Sequence, residues 1–460
     1  MTQLPVAVIG AGPVGLAAAA HLLARGLEPV VLEAGPSAGH AISQWAHVRM
    51  FSPWSFNIDA AARVLLERAG WTPPKASRAP TGAELLAQYV IPLAATPELA
   101  PRIHYDAKVV AVARATRDKL RDDGRDEPFV VRYRQGGRLH TISARVIIDA
   151  SGTWSTPNPL GANGLPVEGE EDVARAIATG IPDVRGTDRP LHAGRTTLVV
   201  GSGHSAINVL LDLVSLRRTD PGTRVMWGIR RADPSRAIGG GAADALAERG
   251  ALGTRLEAAL AAGDIELVPS FALESLARDG EKVVVAARTA GRPIRFAVDR
   301  IVSATGFRPD IAMLREVRVG LDPALECTPA LAPLIDPNLH SCGTVRPHGA
   351  AQLAHPEKNF YIAGMKSYGR APTFLLATGH EQVRSIAAAL AGDHAAAARV
   401  ELNLPQTGVC SVRIAEKTEA KVAAEAAAGC CGGPAPASED ACCVADVEAK
   451  VAGKTGCGCS

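Results

Sequence analysis

Two glycine-rich segments occupy equivalent positions in two similar stretches of this chain. In the first stretch an apolar run, 5–9, precedes the segment GAGPVG, and a run of small apolar residues, 16–24, follows it. This order predicts a buried strand, a tight turn and a buried helix, where the glycines allow the turn, the approach of a pyrophosphate and close packing of helix on strand. The helix N-terminus would bind phosphate through free N–H groups and its positive dipole end. The predicted binding residues are Gly10, Gly12, Pro13 and Gly15.

An acidic residue stands where such a unit needs one. The next apolar run, 29–32, ends in Glu33, which is 23 residues after Gly10. A carboxylate near this spacing binds the ribose hydroxyls of a dinucleotide. Taken alone, Glu33 could equally be a solvated charge at the end of a strand. With strand, glycine turn, helix and acid in order, the sequence predicts a dinucleotide site.

The same pattern returns in the middle of the chain. The apolar run 196–200 leads into the segment GSGHSA and an amphipathic run, 207–216. The predicted binding residues of this second loop are Gly201, Ser202, Gly203 and Ser205. The following strand, 224–229, ends in Arg230 and Arg231 rather than in an acid. Because guanidinium groups bind a 2′-phosphate that a carboxylate would repel, we expect NADPH here. Exposed strand-end arginines are the alternative.

The bulk composition excludes several classes of function. The 460 residues are enough for two or three domains, and 49 basic against 47 acidic residues give a formal net charge of +2. No broad basic face is implied, so nucleic acid is not an expected partner. The chain begins without a basic secretory leader, which predicts a cytoplasmic protein. Glycine and proline interrupt the apolar stretch 6–24, so no membrane span is expected.

The cysteines are unevenly distributed. Six of the nine lie in the last 31 residues, and no two cysteines have the Cys-x-x-Cys spacing. The redox-active dithiol of a thioredoxin-reductase or glutathione-reductase mechanism is therefore not expected. Cys327 and Cys342 are interpreted as ordinary core or loop residues.

The two glycine loops and the segments around them resemble the two-dinucleotide-binding-domain flavoproteins, and within these the flavin-containing monooxygenase-like group. The likeness covers about residues 4–395, including segments 149–159, 303–310 and 360–364. It implies an α/β fold in which an NADPH-binding Rossmann-like domain is inserted into an FAD-binding Rossmann-like domain, followed by a flexible cysteine-rich tail. The implied boundaries are 1–155 and 319–400 for the FAD-binding domain, 156–318 for the NADPH-binding domain and 401–460 for the linker and tail.

The resemblance also implies roles for single residues. Val109, in a strand 108–111 that follows a helix 81–94, would lie against the adenine of FAD, and Gly152 and Gly364 would belong to the other FAD-binding segments. A helix 373–390 would point its N-terminus at the flavin ring. Asn57 is the implied catalytic residue, stabilising the oxygen adduct; its alternative role is N-cap of a helix 58–67.

Two features of the monooxygenase group are absent. The Phe-x-Gly-x-x-x-His run before the second glycine loop is missing, and no acid follows Gly364. The polar residues after Gly364 are Lys366, Tyr368 and Arg370, which either line the substrate side of the flavin or form a solvated turn.

The tail has its own chemistry. After an alanine-rich spacer, 412–428, six cysteines stand among Gly, Pro, Ala and Ser: Cys430, Cys431, Cys442, Cys443, Cys457 and Cys459. Paired soft thiolates on a chain that forms no core suit a thiophilic ion. The tail resembles the cysteine-rich termini of arsenic and cadmium resistance proteins, which favours As(III). A zinc or copper scavenger and an oxidised resting tail are the alternatives.

Together these patterns predict an NADPH-dependent FAD enzyme, monooxygenase-like, that oxidises a small soft substrate such as a trivalent arsenical in metalloid resistance. An arsenic-handling protein would then be a natural partner, while the oligomeric state is left open. Two alternatives stay open at this stage. One is a flavin reductase that passes electrons to a protein or quinone, and the other is a non-catalytic metalloid-binding flavoprotein.

Overall fold

The computed structural model describes residues 4–239, 246–339, 347–371 and 375–402. The strands in these ranges are β1 (Val6–Ile9), β2 (Pro29–Leu32), β3 (Ile103–His104), β4 (Lys108–Arg114), β5 (Phe129–Gln135), β6 (Arg138–Ala144), β7 (Val146–Asp149), β8 (Ile177–Thr179), β9 (Thr196–Val200), β10 (Arg224–Gly228), β11 (Glu266–Val268), β12 (Phe271–Asp279), β13 (Lys282–Thr289), β14 (Arg292–Val298), β15 (Arg300–Ser303) and β16 (Phe360–Ile362). The helices are α1 (Pro13–Ala24), α2 (His40–Ser43), α3 (Ala60–Arg68), α4 (Gly82–Leu85), α5 (Ile91–Ala94), α6 (Arg189–His192), α7 (His204–Thr219), α8 (Ser235–Ile238), α9 (Ala247–Ala261), α10 (Ala332–Ile335), α11 (Leu376–Leu390) and α12 (His394–Ala398).

The first sheet has the strand order β16-β7-β1-β2-β3, and all four pairings are parallel. Its strands are short apolar runs, as expected of a sheet that is covered on both faces. β1 lies in the middle, with β2 on one side and β7 on the other. The connections from β1 to β2 and to β7 therefore lead to opposite sides of β1. In open parallel sheets a ligand crevice forms outside the carboxyl ends of the strands at such a point.

The second sheet repeats this arrangement with the order β11-β10-β9-β15-β8, again entirely parallel. All its strands fall between β7 and β16 in the sequence, so the second unit is inserted into the first. The predicted α/β class, with one Rossmann-like unit inside another, is confirmed. Two antiparallel three-stranded sheets, β4-β5-β6 and β12-β13-β14, complete the strand inventory of the described residues.

The helix expected over 81–94 is present, but it contains a π-helical turn, Leu86–Val90, between α4 and α5. Pro92 has no N–H to donate to the carbonyl oxygen of Gln88, four residues earlier. That oxygen instead accepts a hydrogen bond from Trp71 Nε1 at 2.6 Å. The extra residue in the turn therefore accommodates a proline that a regular helix would not.

The N-cap of α3 is Asp59, not Asn57, so the cap alternative for Asn57 is wrong. The Asp59 carboxylate accepts from Ala62 N and from His21 Nε2, both at 2.9 Å. Burial raises the pKa of Asp59, but the hydrogen bond and charge of His21 outweigh burial and hold that pKa below its usual value. The N–H of Ala62, in the first turn of α3, has no acceptor within the helix, and the carboxylate of Asp59 accepts its hydrogen bond.

A buried ion pair joins the carboxyl ends of β7 and β16. Lys366 Nζ lies 2.7 Å from Asp149 Oδ2 and 3.1 Å from Ser151 Oγ, and the side chains of Lys366 and Asp149 are 1% and 0% exposed. The other oxygen of Asp149 accepts from the N–H and hydroxyl of Ser151. The solvated-turn interpretation is therefore wrong for Lys366. It is also wrong for Tyr368, which is 2% exposed, whereas Arg370 is exposed beside Glu326.

Replacing Lys366 with Met should lower the free energy of unfolding by about 3–5 kcal/mol, because the Asp149 carboxylate is left buried without a counter-ion. The double variant Asp149→Asn, Lys366→Met should recover most of that loss. Urea denaturation of the two variants measures the difference. Lys358→Met is the matched control, since Lys358 pairs with Asp126 on the surface at 68% exposure. Equal losses in the single and double variants would contradict a coupled pair.

Candidate dinucleotide-binding sites

The first glycine loop is shaped by backbone contacts that exclude side chains. Gly10 has a φ of +101°, and a Cβ there would lie 2.8 Å from the carbonyl oxygen of Ala150. A Cβ at Gly15 would overlap the carbonyl oxygen of Gly10, so α1 packs on the end of β1 at a distance only glycine permits. A Cβ at Gly12 would have no atom within 4 Å. The first and third glycines thus fix the loop, and the second faces open space.

The start of α1 offers donors to a ligand. Gly12 is its N-cap and Pro13 its first residue, and no side chain caps the helix. Glu33 reaches this loop from the end of β2: its carboxylate accepts from the N–H of Ala11 at 2.6 Å and of Gly35 at 2.8 Å. The acid lies half-buried at the rim, where its remaining lone pairs can accept from a hydroxyl group.

Three separate segments meet at this carboxyl edge. A Cβ at Gly364 would lie 3.4 Å from Val14 at the start of α1, which places the segment after β16 against the glycine loop. Gly152 follows β7, whose last residue pairs in register with Ile9 of β1. Val109 is buried on β4 within the same hydrophobic cluster as Leu32. The structure thus brings these predicted FAD-binding segments together, and their individual roles stay predictions.

The second glycine loop has the same construction. Gly201 has a φ of +132°, and a Cβ there would overlap the carbonyl oxygen of Ala304. Gly203 is the N-cap of α7 without a capping side chain, and a Cβ at Gly203 would have no neighbour within 4 Å. Ser202 is exposed and Ser205 half-buried in the first turn of α7. The helix begins three residues earlier than the sequence pattern indicated, so its free N–H groups lie within the loop itself.

Arg230 and Arg231 follow the neighbouring strand. β10 pairs with β9 so that Gly228 lies opposite Val200, and the N–H of Gly201 donates to the carbonyl oxygen of Gly228 at 3.2 Å. The two arginines come directly after this point, and both are exposed. Arg230 donates one hydrogen bond, to the carbonyl oxygen of Ala162 at 3.2 Å. Both side chains are thus exposed beside the second glycine loop, and their role in binding a phosphate stays a prediction.

The two crossover segments that connect the units are hydrogen-bonded to each other. Asn158 N donates to Gly306 O at 2.9 Å, and Arg308 N donates to Thr156 O at 3.0 Å. Beside this short ribbon the ring of Trp154 stacks on Phe307 with centroids 4.7 Å apart. The outgoing and returning crossovers thus form one paired link.

Asn57 is fully buried in the loop that precedes α3. Its Nδ2 donates to the carbonyl oxygens of Ser52 at 2.9 Å and Pro53 at 3.1 Å, and its Oδ1 accepts from Ser52 Oγ at 2.9 Å. Both donors of the carboxamide are used within the loop. The structure gives Asn57 a part in holding this loop, and its catalytic role stays a prediction.

Sequence reasoning missed the polar residues that hold the segment after β16. Buried Gln382, on α11, accepts from Gly364 N at 2.7 Å and donates to Ser367 Oγ at 2.9 Å. Lys366 reaches back to Asp149 from the same segment. These partners are distant in sequence and match no short motif, so only the absence of an acid after Gly364 hinted that another arrangement was needed.

The six tail cysteines lie outside the described residues, as does Cys342. Among the residues that the structure describes, no group of three or more His, Cys, Asp or Glu side chains could hold a metal ion. Cys327, expected to be a core or loop residue, lies in the core, and burial raises the pKa of its thiol to about 12. In the same part of the chain, no helix combines the length and apolarity that crossing a membrane requires.

Comparison with solved structures gives matches along most of the chain. The bacillithiol disulfide reductase Bdr of Bacillus cereus is 21% identical with a TM-score of 0.62, covering 85% of this chain and 99% of the other. A double mutant of a flavin monooxygenase from Stenotrophomonas maltophilia has the same coverage, with 22% identity and a TM-score of 0.55. The FAD-bound cadaverine monooxygenase of desferrioxamine biosynthesis from Erwinia amylovora is 14% identical at a TM-score of 0.61, covering 88% and 98%. At these identities the likeness establishes the fold.

A search of curated proteins found no match. A family model does match: the pyridine nucleotide-disulphide oxidoreductase model covers residues 7–333, which include both glycine loops and both crossovers. That span is well over half of the chain. The protein is therefore an oxidoreductase that belongs to the pyridine nucleotide-disulphide oxidoreductase family.

Proposed function

We propose that this protein is an NADPH-dependent FAD oxidoreductase of the monooxygenase-like type, acting on a small soft substrate such as a trivalent arsenical. The observation that carries the proposal is the pair of glycine loops at the centres of two parallel sheets. In each, one glycine faces open space before an uncapped helix. Two such loops in one chain serve two nucleotides, and the boundaries 1–155, 156–318, 319–400 and 401–460 divide the chain accordingly.

The first loop fits FAD. Gly12 leaves room for a pyrophosphate, the start of α1 supplies N–H donors, and Glu33 stands where ribose hydroxyls would lie. Bound FAD supplies hydride acceptance from NADPH and reduction of dioxygen. The chain's own part is to bind and orient: the Asp149–Lys366 pair and Gln382 hold the segments after β7 and β16 against this loop.

The second loop fits NADPH. Gly203 leaves the same open space, and Arg230 and Arg231 stand where an acid would select NADH. The cation-rich rim suits a 2′-phosphate, which carries negative charge at neutral pH.

The soft substrate is inferred from the tail. Thiolates of the six clustered cysteines would bind a trivalent arsenical and raise its local concentration at the enzyme through a tether. Oxidation of arsenite balances as As(OH)₃ + O₂ + NADPH + H⁺ giving H₃AsO₄ + NADP⁺ + H₂O. One oxygen atom enters the substrate and the other leaves as water.

A reductase is the second candidate, because the matched family includes disulphide oxidoreductases and one similar structure is a bacillithiol disulfide reductase. The chain has no Cys-x-x-Cys pair, and Cys327 is buried with a raised thiol pKa. An internal dithiol shuttle between flavin and substrate is therefore not available in the described body of the enzyme, which leaves a flavin reductase that passes electrons to a protein or quinone as the form of this second candidate.

Gly12→Ala should fold normally and yet bind FAD at least about tenfold more weakly, roughly 1.4 kcal/mol, because the added methyl group occupies the space of the pyrophosphate. Gly203→Ala should do the same to NADPH and spare FAD. Thermal unfolding of the flavin-free proteins and flavin fluorescence titration measure the two effects. Gly15→Ala is the contrasting variant, since its Cβ would overlap Gly10 even without ligand. Unchanged affinities in both variants would contradict the site assignment.

Arg230→Ala should raise KM for NADPH by roughly ten- to a hundredfold, the effect of losing a charge-assisted hydrogen bond, and leave KM for NADH nearly unchanged. Steady-state reduction of the enzyme by each nucleotide gives both constants. Arg224→Ala is the control on the opposite end of the same strand, where Arg224 pairs with Glu266. An equal effect on both nucleotides would remove the phosphate-binding role.

Arsenite should be converted to arsenate with one dioxygen consumed per NADPH and little hydrogen peroxide released. Chromatographic arsenic speciation, an oxygen electrode and a peroxidase-coupled assay measure the three quantities. If NADPH oxidation releases stoichiometric peroxide with or without arsenite, the reductase candidate replaces the monooxygenase. If NADPH does not reduce the flavin at all, the enzyme proposal itself fails.

Ending the chain at Gly429 should raise KM for arsenite and leave flavin reduction by NADPH unchanged, because the tether acts on the substrate concentration alone. Replacing all six tail cysteines by Ser in the full chain is the matched control for length. If neither change alters KM, the tail does not deliver substrate.

A further inference from the structure

One face of the antiparallel sheet β4-β5-β6 in the first unit is basic. The three strands contain no Asp or Glu, and three cations, Lys108, Arg132 and Arg134, are exposed on the same side of the sheet. Side chains alternate along a strand, so the neighbouring Val109 and Val131 lie on the opposite side, where both are buried. The sheet thus has one apolar face in the core and one basic face in solvent.

The cations of this basic face repel one another. Lys108 lies directly opposite Arg134 in the register of β4 and β5, and Arg132 is two residues from Arg134 on β5. Like charges at opposed positions lower the stability of a sheet. In the part of the chain that the structure describes, no carboxylate forms an ion pair with any of the three side chains. An anionic partner would therefore relieve a repulsion that the fold leaves in place.

The second antiparallel sheet, β12-β13-β14, has acids beside its cations. Lys282 lies opposite Asp279 in the register of β12 and β13. Arg288 Nε donates to Glu274 Oε1 at 2.6 Å. Opposite charges on neighbouring strands stabilise a sheet. The two small sheets of this chain therefore differ in charge arrangement, and only the first has opposed cations without acids in its strands.

The chain itself contains a segment of opposite charge, which lies outside the described residues. Residues 422–449 include five acids and no Lys or Arg. Four of these acids stand on either side of the cysteine pair 442–443: Glu439, Asp440, Asp446 and Glu448. From Leu402, the last described residue, to Glu439 the chain runs for 37 residues. A chain of that length spans up to about 120 Å, so the acidic segment can reach any face of the first unit.

We propose that the acidic segment 436–449 of the tail docks on the basic face formed by Lys108, Arg132 and Arg134. Four carboxylates of the segment are matched to three cations of the face. Each exposed charge contact is weak, but the covalent connection gives the segment a high effective concentration that a separate acidic protein would lack. Docking would hold the cysteine pair 442–443 against the first unit. It requires neither a bound nucleotide nor an arsenical.

Carbodiimide cross-linking of the full-length protein at low ionic strength, followed by peptide mass spectrometry, should join Lys108 to the carboxylates of residues 439–448. Lys282, which is exposed on the second antiparallel sheet, is the internal control and should give few such links. Added salt should abolish the Lys108 links, because the Debye length falls to about 3 Å at 1 M. A mixture of unlabelled and ¹⁵N-labelled protein separates links within one chain from links between two copies.

Replacing Arg132 and Arg134 together by Gln should lower the yield of Lys108 links at least about twofold, since two exposed charge contacts are lost. Replacing Arg292 and Arg295 by Gln is the matched control, because both are exposed on β14 of the other sheet. Thermal unfolding checks that both double variants are folded. Absence of Lys108 links, equal yields at Lys282, links only between copies, or a yield that the Arg132 and Arg134 replacements leave unchanged would each overturn the proposal.

Discussion

The contact between Gly15 and the carbonyl oxygen of Gly10 determines where α1 begins, and much of the first unit follows from it. Because no Cβ fits there, the helix axis lies closer to the end of β1 than any other residue would allow. The start of α1 is thereby brought over the carboxyl edge of the sheet, where Glu33 can bond to Ala11 and Gly364 can touch Val14. In the second unit Gly201 repeats the contact that Gly10 makes with Ala150, since a Cβ there would overlap the carbonyl oxygen of Ala304, while Ala206 stands at the position of Gly15.

The parts of the fold that depend on local pattern were predictable from sequence. β2 and β9 have the bounds that their apolar runs indicate, and both glycine loops join strand to helix as expected. The insertion of the second unit into the first followed from the resemblance, since local strand patterns alone do not show that β7 and β16 are neighbours in one sheet. Cys327 was expected to be a core or loop residue, and it lies in the core, where a free cysteine behaves as a small apolar side chain.

The parts that depend on long-range polar contacts were not predictable. Lys366 stands in a polar, glycine-flanked stretch that suggests a surface turn, yet its partner Asp149 is 217 positions away in sequence. Asp59 and Asn57 are both good N-cap residues, and Asp59, which caps α3, is also hydrogen-bonded to the buried His21 on α1. The π-helical turn depends on Trp71, whose indole takes the carbonyl that Pro92 leaves unused. In each case the deciding atom belongs to a distant segment.

The paired crossovers have a consequence for how such a chain is assembled. Because Asn158 and Gly306 are hydrogen-bonded, the inserted unit starts and ends at one place in space. The strands of the first sheet on either side of the insert, β7 and β16, pair directly with each other. An ancestral gene could therefore have gained the second unit through a single insertion of coding sequence without opening the first sheet. By the same geometry, a short turn joining the two crossovers would yield a one-nucleotide protein.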